Sequence, residues 1–372
     1  MKENLLKNIL ENIDGADNDA LTKAKVRQDE LIKPPESLGK LEEISIKMAG
    51  ITSKIKNKID KRCVIVLSAD NGVVSEGVAS APQIVTISQT INFTKRITGV
   101  GALAKTFNCD LCVVDMGINN TVPTELLSKD AKDFVNNKII DRKIRFGTSN
   151  LAKEPAMSRE EAVSAILTGI EMVDTAKELG FDIIGVGEMG IGNTTTSSAL
   201  LTAITKCPVE DAVGRGGGLT DQGLLKKKAI VNEVGLNRDY EDEIDALAKV
   251  GGFDIAAMVG VYIGAAKNRM PVVIDGYISA VAAMIASKLQ PLTQDFMFGS
   301  HCSLEPGYLI AMGEMNVMPM LDLNMRLGEG TGCVLAFEII KGALGVMNEM
   351  ATFAEGEIND EYLDEIREGK CY

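Results

Sequence analysis

Phe181-Asp-Ile-Ile-Gly-Val-Gly-Glu-Met-Gly-Ile-Gly-Asn-Thr-Thr-Thr196 is the stretch that decides the fold of this chain. Its first part, Phe181 to Val186, is a short and mostly apolar run of the kind that forms a buried parallel strand. Glycines at 185, 187, 190 and 192 and a run of threonines from 194 then follow. A glycine-rich turn from a strand into a helix lets backbone N–H groups approach an anion. Asn193 or a following Thr can cap that helix, whose positive dipole end faces the anion. The stretch therefore reads as a phosphate cradle. Glu188 inside it would repel a phosphate, which directs its carboxylate to a ribose hydroxyl or to a positive charge elsewhere on the ligand.

Working outward, Cys63-Val-Ile-Val-Leu-Ser68, Leu111-Cys-Val-Val-Asp115 and Pro271 to Ile274 repeat the apolar strand pattern, with helical stretches between them. These predict a parallel, doubly wound α/β sheet with ligands at the C-terminal strand ends, where Asp70, Asp115, Glu188 and Asp275 are candidates for one cleft or for loop caps. Leu5, Leu6, Ile9, Leu10 and Ile13 recur at helical spacing, and a second helix is expected over Ala20 to Ile32, before Pro34-Pro35. Ser37 is the expected cap of a third, Leu38 to Ile51. This helical arm is expected to pack on a neighbour. Residues 119–160 are polar and read as an excursion forming a surface or a lid; the chain from about 305 onward reads as helical and Met-rich.

A chain of 372 residues exceeds the usual single core, which suggests a large α/β domain with a smaller helical one. The net charge of −13 argues against wrapping nucleic acid or docking on anionic membranes. No long uncharged apolar stretch and no hydrophobic leader follow Met1, so a cytoplasmic protein is expected. The seven cysteines are odd in number and scattered, which fits reduced core thiols. Cys109-Asp-Leu-Cys112 stands alone, far from the single histidine, His301, and is read as incidental rather than as a zinc site.

Three further clusters carry chemistry. Gly214-Arg-Gly-Gly-Gly218 leads into Lys226–Lys228, so that Arg215 and one lysine could reach a phosphate; the plainer reading is a flexible turn before a solvated basic helix. In Met325-Arg-Leu-Gly-Glu-Gly-Thr-Gly332, glycines bracket Glu329. Burial among apolar neighbours would raise its pKa toward that of a general base; otherwise it marks a helix N-terminus. His301, in Ser300-His-Cys-Ser303, is either an acid or base or a structural hydrogen bonder. Gly185, Gly187 and Gly190 also satisfy G-x-G-x-x-G, which raises an NAD-dependent dehydrogenase as an alternative. The acidic residue and the Asn-Thr-Thr-Thr tail suit a mononucleotide better than a pyrophosphate. A non-catalytic nucleotide-binding regulator is the other alternative, and Glu329 in its glycine turn speaks against it.

In combination and in order, Lys33-Pro-Pro-Glu-Ser-Leu-Gly-Lys-Leu-Glu42, Ala69-Asp-Asn-Gly72, Pro82 to Gln89, Val114-Asp-Met-Gly117, Gly187 to Thr195, Gly214-Arg-Gly216, Ser300-His301 and Arg326 to Gly332 resemble the nicotinate-nucleotide:dimethylbenzimidazole phosphoribosyltransferases of cobamide assembly, the CobT family. The chain departs from that family's pattern at Glu36, Asn71, Tyr308 and Cys333, of which Asn71 and Tyr308 are the candidates to tune substrate choice. The resemblance implies a Rossmann-like parallel sheet flanked by helices (61–334), a small helical domain from both chain ends (1–60 plus about 335–372) and a homodimer. It implies transfer of phosphoribose from nicotinate mononucleotide to a benzimidazole, with small-molecule substrates and no cofactor or metal. By the same resemblance Glu329 is the general base, Glu188 meets the ribose or its developing charge, and Lys227, flanked by Lys226 and Lys228, faces the site. Gly190, Asn193, Thr194, Gly216 and Ser303, with Arg215, surround the phosphate. Ser80, Gln89 and Leu327 line the acceptor slot.

Overall fold

The computed structural model describes residues 1–367; Cys371 and the end of the segment expected to complete the helical domain lie outside them. Eight strands form one sheet: β1 (Arg62–Ala69), β2 (Asp110–Gly117), β3 (Leu127–Ser128), β4 (Ile139–Asp141), β5 (Ile183–Met189), β6 (Val272–Ile274), β7 (Met297–His301) and β8 (Pro319–Leu321). Their order is β3-β4-β2-β1-β5-β6-β7-β8, and every pairing is parallel. The chain runs from β1 through β2 to the edge strand β3, inserts β4 between β2 and β3, then restarts at β5 and builds outward to the other edge. β1 is buried along its whole length, as expected for a central strand covered by helices on both faces.

The helices that precede, connect and follow these strands include α1 (Lys2–Glu11), α2 (Asn18–Glu30), α3 (Lys40–Thr52), α4 (Ile84–Thr94), α5 (Gly99–Thr106), α6 (Arg159–Glu178), α7 (Asn193–Thr205), α8 (Val209–Ala212), α9 (Asp221–Val231), α10 (Glu243–Val250), α11 (Phe253–Lys267), α12 (Tyr277–Leu289), α13 (Tyr308–Glu314) and α14 (Thr331–Glu349). The abundance of Gly and Ala has a concrete use where α6 crosses α11. A methyl group at Gly260 would stand 1.9 Å from the Ile166 carbonyl, and one at Gly169 would stand 2.0 Å from that of Ala257. The two backbones touch, and larger residues there would force the helices apart.

Several expectations shift. The helical arm packs on its own chain: Leu6 is buried, Arg159 of α6 pairs with Glu3, and Ala24, Ala49 and Met347 join α2, α3 and the end of α14. Ser37 caps nothing; α3 starts after Gly39, whose φ is +50°. The 119–160 excursion supplies β3 and β4 at the sheet edge, and none of its residues lines the cleft described below. The C-terminal part contributes β8 as well as helices. Among the described residues, α14 is the one helix long and apolar enough to cross a membrane, and 56% of its apolar window is buried within the protein.

Candidate active site

A cleft of about 330 Å³ opens over the C-terminal ends of β5, β6 and β7, beside the point between β1 and β5 where the strand order reverses. Connections diverge there and leave a crevice, and the volume suits a small organic ligand. Ser80, Gln89, Glu188, Gly190, Asn193, Thr194, Arg215, Gly216, Ser303, Leu327 and Glu329 all line it. Residues dispersed over some 250 positions are thus brought to one cleft.

Lys227 is the exception. Its side chain is fully buried behind the wall, with Nζ donating to Thr194 Oγ1 at 2.9 Å and to the Gly214 carbonyl at 3.0 Å. Burial drives its pKa down to about 8. It ties the first glycine turn to the second rather than standing in the cleft. Lys226 lies outside, 3.6 Å from Glu76. Arg215 lines the cleft, yet its guanidinium is held within its own turn by Asp221 at 2.5 Å and by the Leu219 carbonyl at 2.8 Å.

The glycines of the opening stretch also have a different use from the one expected. β5 begins two residues later than the apolar run and continues to Met189, so Glu188 stands on the strand end and not in the loop. A methyl group at Gly187 would meet the Glu329 carbonyl at 2.3 Å; one at Gly190 would meet the Ala69 carbonyl at 2.5 Å and Asp254 Oδ2 at 2.6 Å. These glycines admit the protein's own atoms. Gly187 is closed off by Glu329, which removes the basis for the dinucleotide reading. Asn193 does not cap α7; Gly192, at φ +94°, precedes that helix and no side chain caps it. The positive end of α7 is left to the cleft that Asn193 and Thr194 line.

Glu329 has φ +64°, between Gly328 at +84° and Gly330 at +90°. A non-glycine residue in this region costs about 1–3 kcal/mol and persists where its surroundings enforce it. They do so here: the Glu329 N–H donates to Glu188 Oε1 at 3.3 Å, and the Gly330 and Gly332 N–H groups donate to the two oxygens of Asp275 at 2.9 and 2.7 Å. Apolar burial was one of the two readings of the Glu329 carboxylate. Instead, Oε2 accepts from the Val100 N–H at 3.0 Å, at the start of α5, and Oε1 accepts from Gln89 Nε2 at 3.3 Å. Burial still outweighs these donors and raises its pKa above the ordinary glutamate value.

Burial also pushes Glu188 up to about 8, opposed by the Asn193 amide and assisted by the charges of Asp254 and Asp275. Asp275 is pushed up to about 7 by burial, against hydrogen bonds from three backbone N–H groups. Of the four strand-end acids, Glu188 and Asp275 line the cleft. Asp70 instead holds Thr86 and the Asn119 N–H at 2.7 and 2.8 Å, and Asp115 holds the Gly117 and Ile118 N–H groups at 3.1 and 2.9 Å. His301 is buried at the end of β7, 3.1 Å from Ser300 Oγ, and burial lowers its pKa, which keeps the ring neutral. Asn71 and Tyr308 are fully buried and do not line the cleft. Cys109 and Cys112 are buried free thiols on and beside β2, Cys109 pushed up to about 12 by burial.

Other contributors had not been singled out from the sequence. Arg326 and Tyr277 line the cleft, and the N-terminus of α5 grips Glu329. Thr98, which caps α5 by accepting from the Gly101 N–H at 3.1 Å, gave a usable helix-start signal just before two glycines. Asp254 gave none, since it meets Asn193 across 61 residues.

Comparison with known proteins places this geometry. A family model described as phosphoribosyltransferase, DBI_PRT, matches residues 13–358. The nicotinate-nucleotide--dimethylbenzimidazole phosphoribosyltransferase of Clostridium perfringens (strain ATCC 13124) is 53% identical over 370 residues, covering 99% of both chains. That of Clostridium tetani is 48% identical over 367 residues, covering 98% of both. The crystal structure of CobT from Thermus thermophilus superposes with a TM-score of 0.86 at 35% identity, covering 92% of this chain and 99% of that one. With a family model spanning most of its length and relatives this similar, the chain belongs to the nicotinate-nucleotide–dimethylbenzimidazole phosphoribosyltransferase family.

Proposed function

We propose that the protein transfers the phosphoribosyl group of nicotinate mononucleotide to 5,6-dimethylbenzimidazole or a related base, giving α-ribazole 5′-phosphate and nicotinate for the lower ligand of a cobamide. The observation that carries this reading is the pair of buried carboxylates, Glu188 and Glu329, facing one cleft beside the uncapped start of α7.

The donor's phosphate is taken by the positive end of α7, with Gly190, Asn193, Thr194, Gly216, Ser303 and Arg215 around it. Lys227 acts from behind by fixing Thr194 against the second glycine turn. Nicotinate leaves as its glycosidic C–N bond breaks, and the bonding electrons discharge the pyridinium nitrogen. The carbon left behind is oxocarbenium-like, and Glu188 offsets its charge. The acceptor nitrogen attacks the opposite face, so a β donor gives an α product. The acceptor's other ring nitrogen then gives its N–H proton to the Glu329 carboxylate, which leaves the new ribazole neutral. Ser80, Gln89 and Leu327 flank that base. Pyridinium departure calls for no metal and no cofactor, and the enzyme works as a cytoplasmic homodimer.

Incubation of purified protein with nicotinate mononucleotide and 5,6-dimethylbenzimidazole, followed by chromatography, tests this directly. Ribazole phosphate and nicotinate are expected in equal amounts. No ribazole phosphate at any acceptor concentration overturns the reading.

A further inference from the structure

Asp254 lies in the first turn of α11, fully buried and outside the cleft wall. Its Oδ2 accepts from Asn193 Nδ2 at 3.1 Å, and the same nitrogen donates to Glu188 Oε2. A side-chain amide has two N–H hydrogens, so both are committed, one to each carboxylate. Once both carboxylates are ionised only this orientation of Asn193 serves, because the flipped amide would turn its oxygen on two acceptors.

The surroundings preserve the arrangement. A methyl group at Gly190 would stand 2.6 Å from Asp254 Oδ2, and one at Gly252 would stand 2.4 Å from Oδ1. Glycine on either side admits the carboxylate and leaves it little room to turn. Neither Asp254 nor Glu188 has an ion-pair partner among the described residues. Two buried acids that share one neutral amide and have no cation beside them are a poor choice for stability. They are a good one for holding a carboxylate still where a cation must arrive.

We propose that Asp254 is a positioning residue for Glu188: acting through the Asn193 amide, it fixes the direction of the Glu188 carboxylate and adds negative field behind it, favouring a cationic sugar in the cleft. This rests on the reading of Glu188 as the group that meets the developing charge.

Asp254→Ala and Asp254→Asn, each alone and combined with Glu188→Gln, test it in the full-length protein by nicotinate release across a range of pH. Asp254→Ala should lower kcat about ten- to a hundredfold, as misplacement of a reacting group does, with the acceptor KM within about threefold. Asp254→Asn can still accept from Asn193 and should restore most of that rate. With its charge gone, the pH limb belonging to Glu188 should move to lower pH. The other acids near the pair, Asp275 and Glu329 beside Glu188 and Asp70 behind Asp254, are unchanged in every variant. Adding Asp254→Ala to Glu188→Gln should cost little more than Glu188→Gln alone. Wild-type kcat in folded Asp254→Ala, additive losses, or an unmoved limb in Asp254→Asn overturns the inference, and the last decides it should Asp254→Ala fail to fold. Wild-type turnover in Glu188→Gln overturns the reading of Glu188 itself, a result distinguishable from slow Glu188→Gln beside an unaffected Asp254→Ala.

Discussion

The two ends of the sheet carry two hollows of opposite construction. At the C-terminal strand ends, α7 and α12 begin at the cleft of about 330 Å³, and α14 begins just beyond Glu329. At the other end, α3, α6 and α11 finish around a hollow of about 720 Å³ ringed by Lys54, Lys56, Lys58, Lys177, Lys267 and Arg269. In a chain of net charge −13, size and charge alone would assign a phosphate to the second. Three of its six cations are tied to the protein's own oxygens. Arg269 donates to the Gly15 and Gly50 carbonyls at 2.9 and 2.8 Å, Lys56 to that of Asn348 at 3.0 Å, and Lys267 to Asp174 at 2.7 Å. Lysines and arginines there answer the negative ends of three helices. The cleft holds the reverse, with positive helix ends meeting buried carboxylates. In a parallel α/β sheet the direction of the chain polarises the whole molecule, and ligand chemistry goes to the end where the helices start.

The sharpest way to break this comparison is to disarm the cleft. Glu329→Gln keeps an oxygen that can accept from the Val100 N–H, so the strained turn should survive while proton acceptance is lost. We expect kcat to fall by about two to four orders of magnitude with no loss of thermal stability. A near-normal rate would move the base elsewhere. Gly190→Ala acts on the architecture instead, since its methyl meets the Ala69 carbonyl and Asp254. It should cost about 1–3 kcal/mol in denaturant unfolding, as overpacking does, and should slow turnover by disturbing the Asp254–Asn193–Glu188 chain. Unchanged stability would show that the loop yields easily.

That last contact marks where the sequence stops being readable. β1, β2, β5 and β6 announce themselves because strands buried on both faces are continuously apolar. β3 and β4 are two and three residues long, and β7 mixes Gly, Ser and His with its apolar residues, so none has a period to detect. The cleft residues were legible where strand, turn and helix are contiguous, as at Glu188 to Thr194. A run of glycines shows that side chains are absent, but not what fills the space: behind Gly187 and Gly190 it is the Glu329 carbonyl and the Asp254 carboxylate, which no local pattern announces. Lys227 was misplaced for a related reason. Spacing puts it near the site, while the face of α9 on which it lies decides whether it reaches the cleft or the layer behind.

Glu188 offers a test of intermediate size, with a definite sign. Its folded pKa of about 8 exceeds the ordinary 4.5, so the folded protein holds a proton that the unfolded chain gives up. Its contribution to stability is complete below the ordinary value and is lost as pH rises from there through about 8. Glu188→Gln escapes that loss. Without substrate it should unfold at a higher temperature than the parent above neutral pH, with the gap closing toward acid. Binding of the cationic donor should in turn expel a proton from the parent, readable by calorimetry in buffers of different ionisation enthalpy. A gap that is absent or widens toward acid would mean that Glu188 is ionised in the empty cleft.

The smallest expected effect lies at the opposite end of the sheet, and it is the one that isolates polarity from charge. Lys54, Lys58 and Lys177 ring the larger hollow and are solvent-exposed, with Lys177 in the last turn of α6. Replacing all three by Gln removes three positive charges without touching the cleft. If these lysines only offset helix ends, kcat and the donor KM should stay within about twofold, and stability should drop by about 0.3–1 kcal/mol for each charge that serves a dipole. A donor KM raised tenfold, and more so at low salt, would mean that the basic end draws the phosphorylated substrate in by long-range field. Helix direction alone would then no longer explain why the chemistry sits where it does.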